Sequence, residues 1–129
     1  MYLDTDAILA IIKSADWLKA DVERKLREHE SKLATSTFTV IEAEIVLGRD
    51  YNRALCVGVY DKLKERDIKF LPFTEDVLKE SIKLLKNYPK LNVFDSVHVA
   101  FCIQNNESIM STDKLFDRIK EIKRIDPRS

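Results

Sequence analysis

Apolar positions recur along this chain with alternating short-run and helical spacings, which predicts strands interleaved with helices. Tyr2-Leu3 is a short apolar start closed by Asp4. Ala7 to Ile12 is too continuous for a surface helix, so an edge-to-core strand is expected to feed a buried helix. Trp17, Leu18, Val22 and Leu26 then recur at helical spacing among Lys19, Glu23, Arg24, Lys25 and Arg27, one apolar stripe and one solvated charged face. Leu33 to Phe38 reads as a β-rich segment and Thr39 to Leu47 as a helix. A further helix is expected from near Asp50 to Arg66, with Leu55, Val59, Tyr60 and Leu63 buried. Ile68 to Phe73 is the next strand. Thr74-Glu75-Asp76 caps a helix with Val77/Leu78, Ser81/Ile82, Leu84/Leu85 and Tyr88 inward, stopped by Pro89. Asp95 opens a helix that is apolar nearly all round (Val97, Val99, Ala100, Phe101, Ile103) and therefore central. Ile109 to Ser111 is a short strand, Asp113 to Lys120 a short helix, and Ile122 to Ile125 a last strand.

This alternation predicts an α/β fold: a mainly parallel sheet, right-handed crossovers, and helices on both faces. Ligands bind such sheets outside the carboxyl ends of the strands, which makes strand-end residues the candidates for chemistry. The 129 residues, 45% apolar and 34% charged, fit one domain spanning 1–129, without repeats or a linker. No apolar run approaches the roughly 18 residues that span a bilayer, and Met1-Tyr2-Leu3-Asp4 lacks a signal-peptide layout, so a cytoplasmic protein is expected. Cys56 and Cys102 form no C-x-x-C or His/Cys cluster, which argues against structural zinc and requires no disulfide.

Lys+Arg and Asp+Glu both count 22, so the net charge is zero and whole-molecule steering of a polyanion is excluded. What matters is where the acids fall. Asp4 follows the first strand, Glu42 lies inside Phe38 to Ala43, Asp95 inside Val93 to Val97, and Asp113 follows Ile109 to Thr112. Each has a bland reading: Asp4, Asp95 and Asp113 as helix caps, and Glu42 as the partner of Thr39 in a capping box. As a set they would share one sheet edge, and carboxylates gathered there repel one another unless cations lie between them. An all-carboxylate ligand set suits Mg²⁺ or Mn²⁺ rather than zinc, and the matching chemistry is metal-assisted phosphodiester hydrolysis.

Tyr2-Leu3-Asp4-Thr5-Asp6, Ser36 to Glu42, Asp95-Ser96-Val97-His98-Val99-Ala100 and Ser111 to Ile119, followed by Ile125-Asp126-Pro127, resemble in order and spacing the motifs of PIN domains, most closely the prokaryotic VapC-type toxins. The resemblance covers nearly the whole chain. It implies a three-layer α/β/α ribonuclease fold with Mg²⁺ or Mn²⁺ held by Asp4, Glu42, Asp95 and Asp113. It also implies an RNA substrate, a homodimer, and a small antitoxin partner that covers the groove. Asp6, Glu44 and Asp117 lie nearby as supporting or substitute ligands. Glu42 is preferred to Glu44 on its spacing from Ser36 and Thr39.

Thr5 and Ser111 carry hydroxyls that could orient carboxylates or metal waters, although turn or cap bonding accounts for them equally well. Asp95, His98 and Cys102 share one helix face, but zinc would lack a fourth ligand there, and a packed, hydrogen-bonded His98 is expected. Arg49, Arg53, Lys90, Lys114 and Arg118 are candidate RNA contacts. Trp17 and Leu18 are candidates for a partner surface, with core packing the favoured role for both.

Three other readings compete. A haloacid-dehalogenase-like phosphatase would use Asp4 as nucleophile, but it leaves Glu42 and Asp95 without a role. A response-regulator receiver domain needs adjacent acids after the first strand. A catalytically silent PIN module would bind RNA or protein only, and retention of all four acids speaks against it.

Overall fold

The computed structural model describes residues 1–29 and 32–129. Five strands, β1 (Tyr2–Leu3), β2 (Ala34–Ser36), β3 (Lys69–Leu71), β4 (Ile109–Met110) and β5 (Arg124–Ile125), form one sheet in the order β3-β2-β1-β4-β5. Every pairing is parallel, and β1 is central, with Tyr2 opposite both Ala34 and Ile109 and Leu3 opposite Met110.

Because side chains alternate across a strand, consecutive residues of β1 serve opposite faces. Leu3 and Met110 join a core built with α1 (Thr5–Ile12), α2 (Lys19–Glu28), α3 (Thr37–Asp50) and α4 (Arg53–Glu65), containing Ile8, Leu18, Val22, Leu47, Val59 and Leu63. Tyr2 and Ile109 join a second core with α5 (Glu75–Asn87) and α6 (Val93–Gln104), containing Val77, Leu84, Val99, Phe101 and also Phe116. The result is the expected α/β/α sandwich, with a wholly rather than mainly parallel sheet. Asp4 leaves β1, Ser36 ends β2 and Ser111 follows β4, so adjacent parallel strands bring all three to one edge.

Some local expectations are corrected. Ser36, not Thr39, caps α3: its Oγ accepts the Thr39 N–H at 3.0 Å, and the helix starts at Thr37. Asn92, not Asp95, caps α6, which starts at Val93. Trp17 lies in the turn before α2 and is 72% exposed, whereas Leu18 is buried. Tyr60 is half exposed because its ring stacks on Phe70 of the edge strand at 5.1 Å instead of entering the core. On α5 only Val77, Ser81 and Leu84 are buried, and Leu78 and Ile82 turn outward. Within the described residues, no helix is long and apolar enough to cross a membrane.

Candidate active site

Asp4, immediately after β1, caps α1 with Oδ1, which accepts the Thr5 N–H at 2.8 Å, while Oδ2 accepts the Ser111 hydroxyl from the end of β4 at 2.7 Å. Glu42 stands one turn into α3. Because Ser36 already caps that helix, Glu42 is released from backbone duty; its Oε1 accepts the Thr5 hydroxyl at 2.7 Å and lies 2.5 Å from His98 Nε2. Asp95 sits in the first turn of α6, where its own N–H donates to Asn92 Oδ1. Asp113 accepts the Leu115 N–H at 2.9 Å and caps the 3₁₀ turn Lys114–Arg118, and its N–H donates to Ser111 Oγ.

The other sequence candidates divide. Asp6 accepts the Thr112 N–H and hydroxyl at 2.9 and 2.7 Å, tying the first turn of α1 to the loop after β4. Asp117 is taken by Arg124, whose Nε and Nη2 each lie 2.9 Å from its carboxylate, so it supports the C-terminal strand rather than the cleft. Two residues beyond Glu42, Glu44 is marked by the Cys56 thiol on its backbone carbonyl, toward α4.

Charge explains the state of these groups. Burial pushes the Asp4 carboxyl up to about 6; the Asp6 charge adds to this, and His98 and Ser111 oppose it. Burial also raises Glu42, but the bond and charge of His98 and the Thr5 hydroxyl outweigh it and hold Glu42 below the usual range. Asp95 is raised by burial and by the charges of Asp113 and Glu42, with His98 and Asn92 acting against them. For His98, burial works against the charged ring, yet Glu42, Asp4 and Asp95 together lift it above an ordinary histidine.

This arrangement suits a hard cation. The donors at the edge are carboxylate oxygens, and neither Asp95 nor Asp113 has an ion-pair partner among the described residues, although their charges repel. No group of three or more His, Cys, Asp or Glu among the described residues is arranged to hold one ion by itself. That is compatible with Mg²⁺, which is usually bound by one or two carboxylates with water and substrate phosphate completing its shell.

A PIN domain family model matches residues 1–122. The chain belongs to the PIN domain family. Its fold is similar to VapC20 of Mycobacterium tuberculosis, described as a sarcin-ricin loop cleaving toxin, with a TM-score of 0.80, 14% identity, and 92% of this chain and 94% of that one covered. VapBC2 of Rickettsia felis, solved with a promoter DNA fragment, gives a TM-score of 0.77 at 13% identity over 96% of each chain. VapBC-1 of nontypeable Haemophilus influenzae gives 0.75 at 19% identity over 99% and 98%. No curated protein sequence matches the chain.

In this PIN domain the sequence reading missed the residues beneath the acids. Tyr2 and Ser36 open two of the PIN-like motifs, but nothing in the sequence points to their hydroxyls as partners of each other or of His98. The packed, hydrogen-bonded His98 was expected, but not its position between Asp4 and Glu42, 3.7 Å from Asp4 Oδ1. The spacing of His98 three residues after Asp95 was the available clue.

Proposed function

We propose that this single PIN domain is a metal-dependent endoribonuclease and the toxin of a toxin-antitoxin pair. The observation that carries the reading is the gathering of Asp4, Glu42, Asp95 and Asp113 around one edge of the sheet, with neither Asp95 nor Asp113 in an ion pair among the described residues. We take these four as the Mg²⁺- or Mn²⁺-binding and catalytic set, with Thr5, Asp6 and Ser111 orienting them. Asp117 leaves this set because Arg124 occupies it.

A bound Mg²⁺ or Mn²⁺ would supply an acidified water for in-line attack on phosphorus and charge for the leaving oxygen. Asp4 or Asp95 would accept the proton of the attacking water. No side-chain nucleophile is needed. Asp4 as the nucleophile of a phosphatase is disfavoured, because it leaves Glu42 and Asp95 without a role at the same edge.

RNA as substrate is supported by the cleaving activity in the description of VapC20. Lys90 in the segment before α6, with Lys114 and Arg118 beside Asp113, are exposed cations suited to contact phosphates. Arg49, near the C-terminal end of α3, and Arg53, at the start of α4, are less so. The toxin-antitoxin complexes among the similar folds support a small antitoxin partner, for which exposed Trp17 offers an apolar anchor. A homodimer is supported by a contiguous apolar face: Ile41 and Ile45 are more than half exposed on the side of α3 that carries Phe38, which stacks on Phe94 and meets Phe73. We place this chemistry in the cytoplasm.

Asp4→Asn and Asp95→Asn should each abolish Mg²⁺-dependent RNA cleavage while the protein stays folded. Unchanged cleavage by a cleanly purified double variant would overturn the reading, and a wild-type protein that binds RNA without cutting it at any Mg²⁺ or Mn²⁺ concentration would favour a silent binding module.

A further inference from the structure

Beneath the carboxylates runs a buried chain of polar side chains. The Tyr2 hydroxyl, in a fully buried residue of the central strand, lies 2.8 Å from Ser36 Oγ, 2.8 Å from Thr39 Oγ1 and 2.7 Å from His98 Nδ1. Ser36 and Thr39 are themselves 2.9 Å apart. On its other side the His98 ring presents Nε2 to Glu42 Oε1 at 2.5 Å and to Asp4 Oδ1 at 3.7 Å. Phe38 stacks on the imidazole at 5.5 Å and 16°, and the Tyr2 ring packs against it at 5.8 Å. The chain therefore joins β1, the start of α3 and α6 at the point where all three approach the cleft.

Packing alone does not account for this. Each buried hydroxyl or imidazole is costly to desolvate unless bonded, and apolar residues of similar size would fill the same space without that cost. All are bonded, with no buried side-chain donor or acceptor left unpartnered among the described residues. The bonding also has a direction. A carboxylate only accepts, so Nε2 must carry the proton shared with Glu42. Hydroxyls rotate, so the Tyr2 hydroxyl, held by Ser36 and Thr39, can donate to a bare Nδ1 or accept from a protonated one, and in either state Nε2–H is directed at Glu42. Glu42 then receives both of its bonds, from His98 and Thr5, on Oε1, which stops the carboxylate from turning. Oε2 accepts no hydrogen bond from the described residues.

We propose that His98 is a positioning residue for the metal-binding carboxylates, locked by the Tyr2, Ser36 and Thr39 hydroxyls so that Nε2 holds Glu42 with Oε2 available to a cation. This rests on the metal-dependent nuclease reading. Groups that orient metal ligands typically contribute 10–100-fold in metal affinity, which sets the size of the effect.

The test is Mn²⁺ binding to the full chain, by electron paramagnetic resonance and calorimetry at one fixed pH, for wild type, Tyr2→Phe, His98→Leu, His98→Gln and Asp95→Asn. His98→Leu should weaken binding by about 10–100-fold. His98→Gln, whose amide nitrogen can donate in place of Nε2, should recover much of that loss, and Tyr2→Phe should show a smaller loss although Tyr2 is too deep to reach an ion. Imidazole ¹⁵N spectra give a second readout, with only one other histidine, His29, to assign. Wild type should show one ring form with Nε2 protonated, and Tyr2→Phe a mixture.

If His98→Leu does not fold, the Gln and Phe variants carry the comparison. Folded variants that bind Mn²⁺ like wild type while Asp95→Asn does not would overturn the positioning role alone. No recovery in His98→Gln together with no effect of Tyr2→Phe would also overturn it, by making His98 a ligand. If wild type binds no Mn²⁺, or Asp95→Asn binds it equally well, the nuclease reading falls and this proposal with it.

Discussion

Asp4 is the residue at which fold and chemistry conflict most directly. It is held by the helix it caps and by the Ser111 hydroxyl, yet burial still pushes its carboxyl up to about 6. A carboxyl raised above its unfolded value binds its proton more tightly in the folded state. Stability of the metal-free protein should therefore fall as pH rises from about 4 to about 6 and level off above. Asp4→Asn removes that cost. Thermal melts with a chelator present should show the variant more stable than wild type by roughly 1–3 kcal/mol at pH 7.5 and nearly equal to it at pH 4. A gain of the same size at both pH values would show that ionisation is not the cause. Divalent cations should reverse the order at high pH by stabilising wild type only, with a metal affinity that rises through about pH 6 as the Asp4 proton is released.

At the scale of elements, the position of two helix caps decides which acids are free. The sequence offered Thr39 with Glu42 as one cap and Asp95 as another; the structure moves both caps three residues upstream, to Ser36 and Asn92. A capping acid gives one oxygen to a backbone N–H, as Asp4 and Asp113 do, so the shift leaves both oxygens of Glu42 and Asp95 clear of such a bond. The alternation of elements, the parallel sheet and the edge where acids gather were legible, because they follow from apolar periodicity and strand-end placement. The caps were not, because Ser36, Thr39, Asn92 and Asp95 are all competent cap residues, and only the end of β2 and the packing of α6 choose between them. The hydroxyl lock at Tyr2 was hidden for a related reason: a strand tyrosine is apolar by pattern, and its partners lie 34 to 96 residues away. Asn92→Ala should cost only the cap, about 1 kcal/mol. Ser36→Ala should cost more than that, because the same Oγ also bonds the Tyr2 hydroxyl, and chemical denaturation of the two variants measures the difference.

At the scale of the whole molecule, equal numbers of acids and bases conceal an uneven distribution. On the proposed reading, the acids at the sheet edge would repel a polyanion until cations bind there, so an RNA substrate would have to be held by the few exposed cations at the rim. The apolar face of Phe38, Ile41 and Ile45 lies on α3, the same helix that carries Glu42, so a second copy seated there would stand close to the cleft. Ile45→Glu should leave stability within about 0.5 kcal/mol, since the side chain is more than half exposed, yet shift the protein from dimer to monomer in sedimentation equilibrium. A variant that sediments like wild type would remove this face from the proposed dimer. RNA affinity gives the complementary measurement. With Lys90, Lys114 and Arg118 as the phosphate contacts, cleavage-deficient Asp95→Asn should bind single-stranded RNA with a log–log salt slope of about −2, near −0.7 per contact. Replacing any one of the three by Ala should flatten that slope by about 0.7. A much steeper slope would mean that RNA tracks over a larger basic surface than this rim, and a flat one that these cations do not touch it.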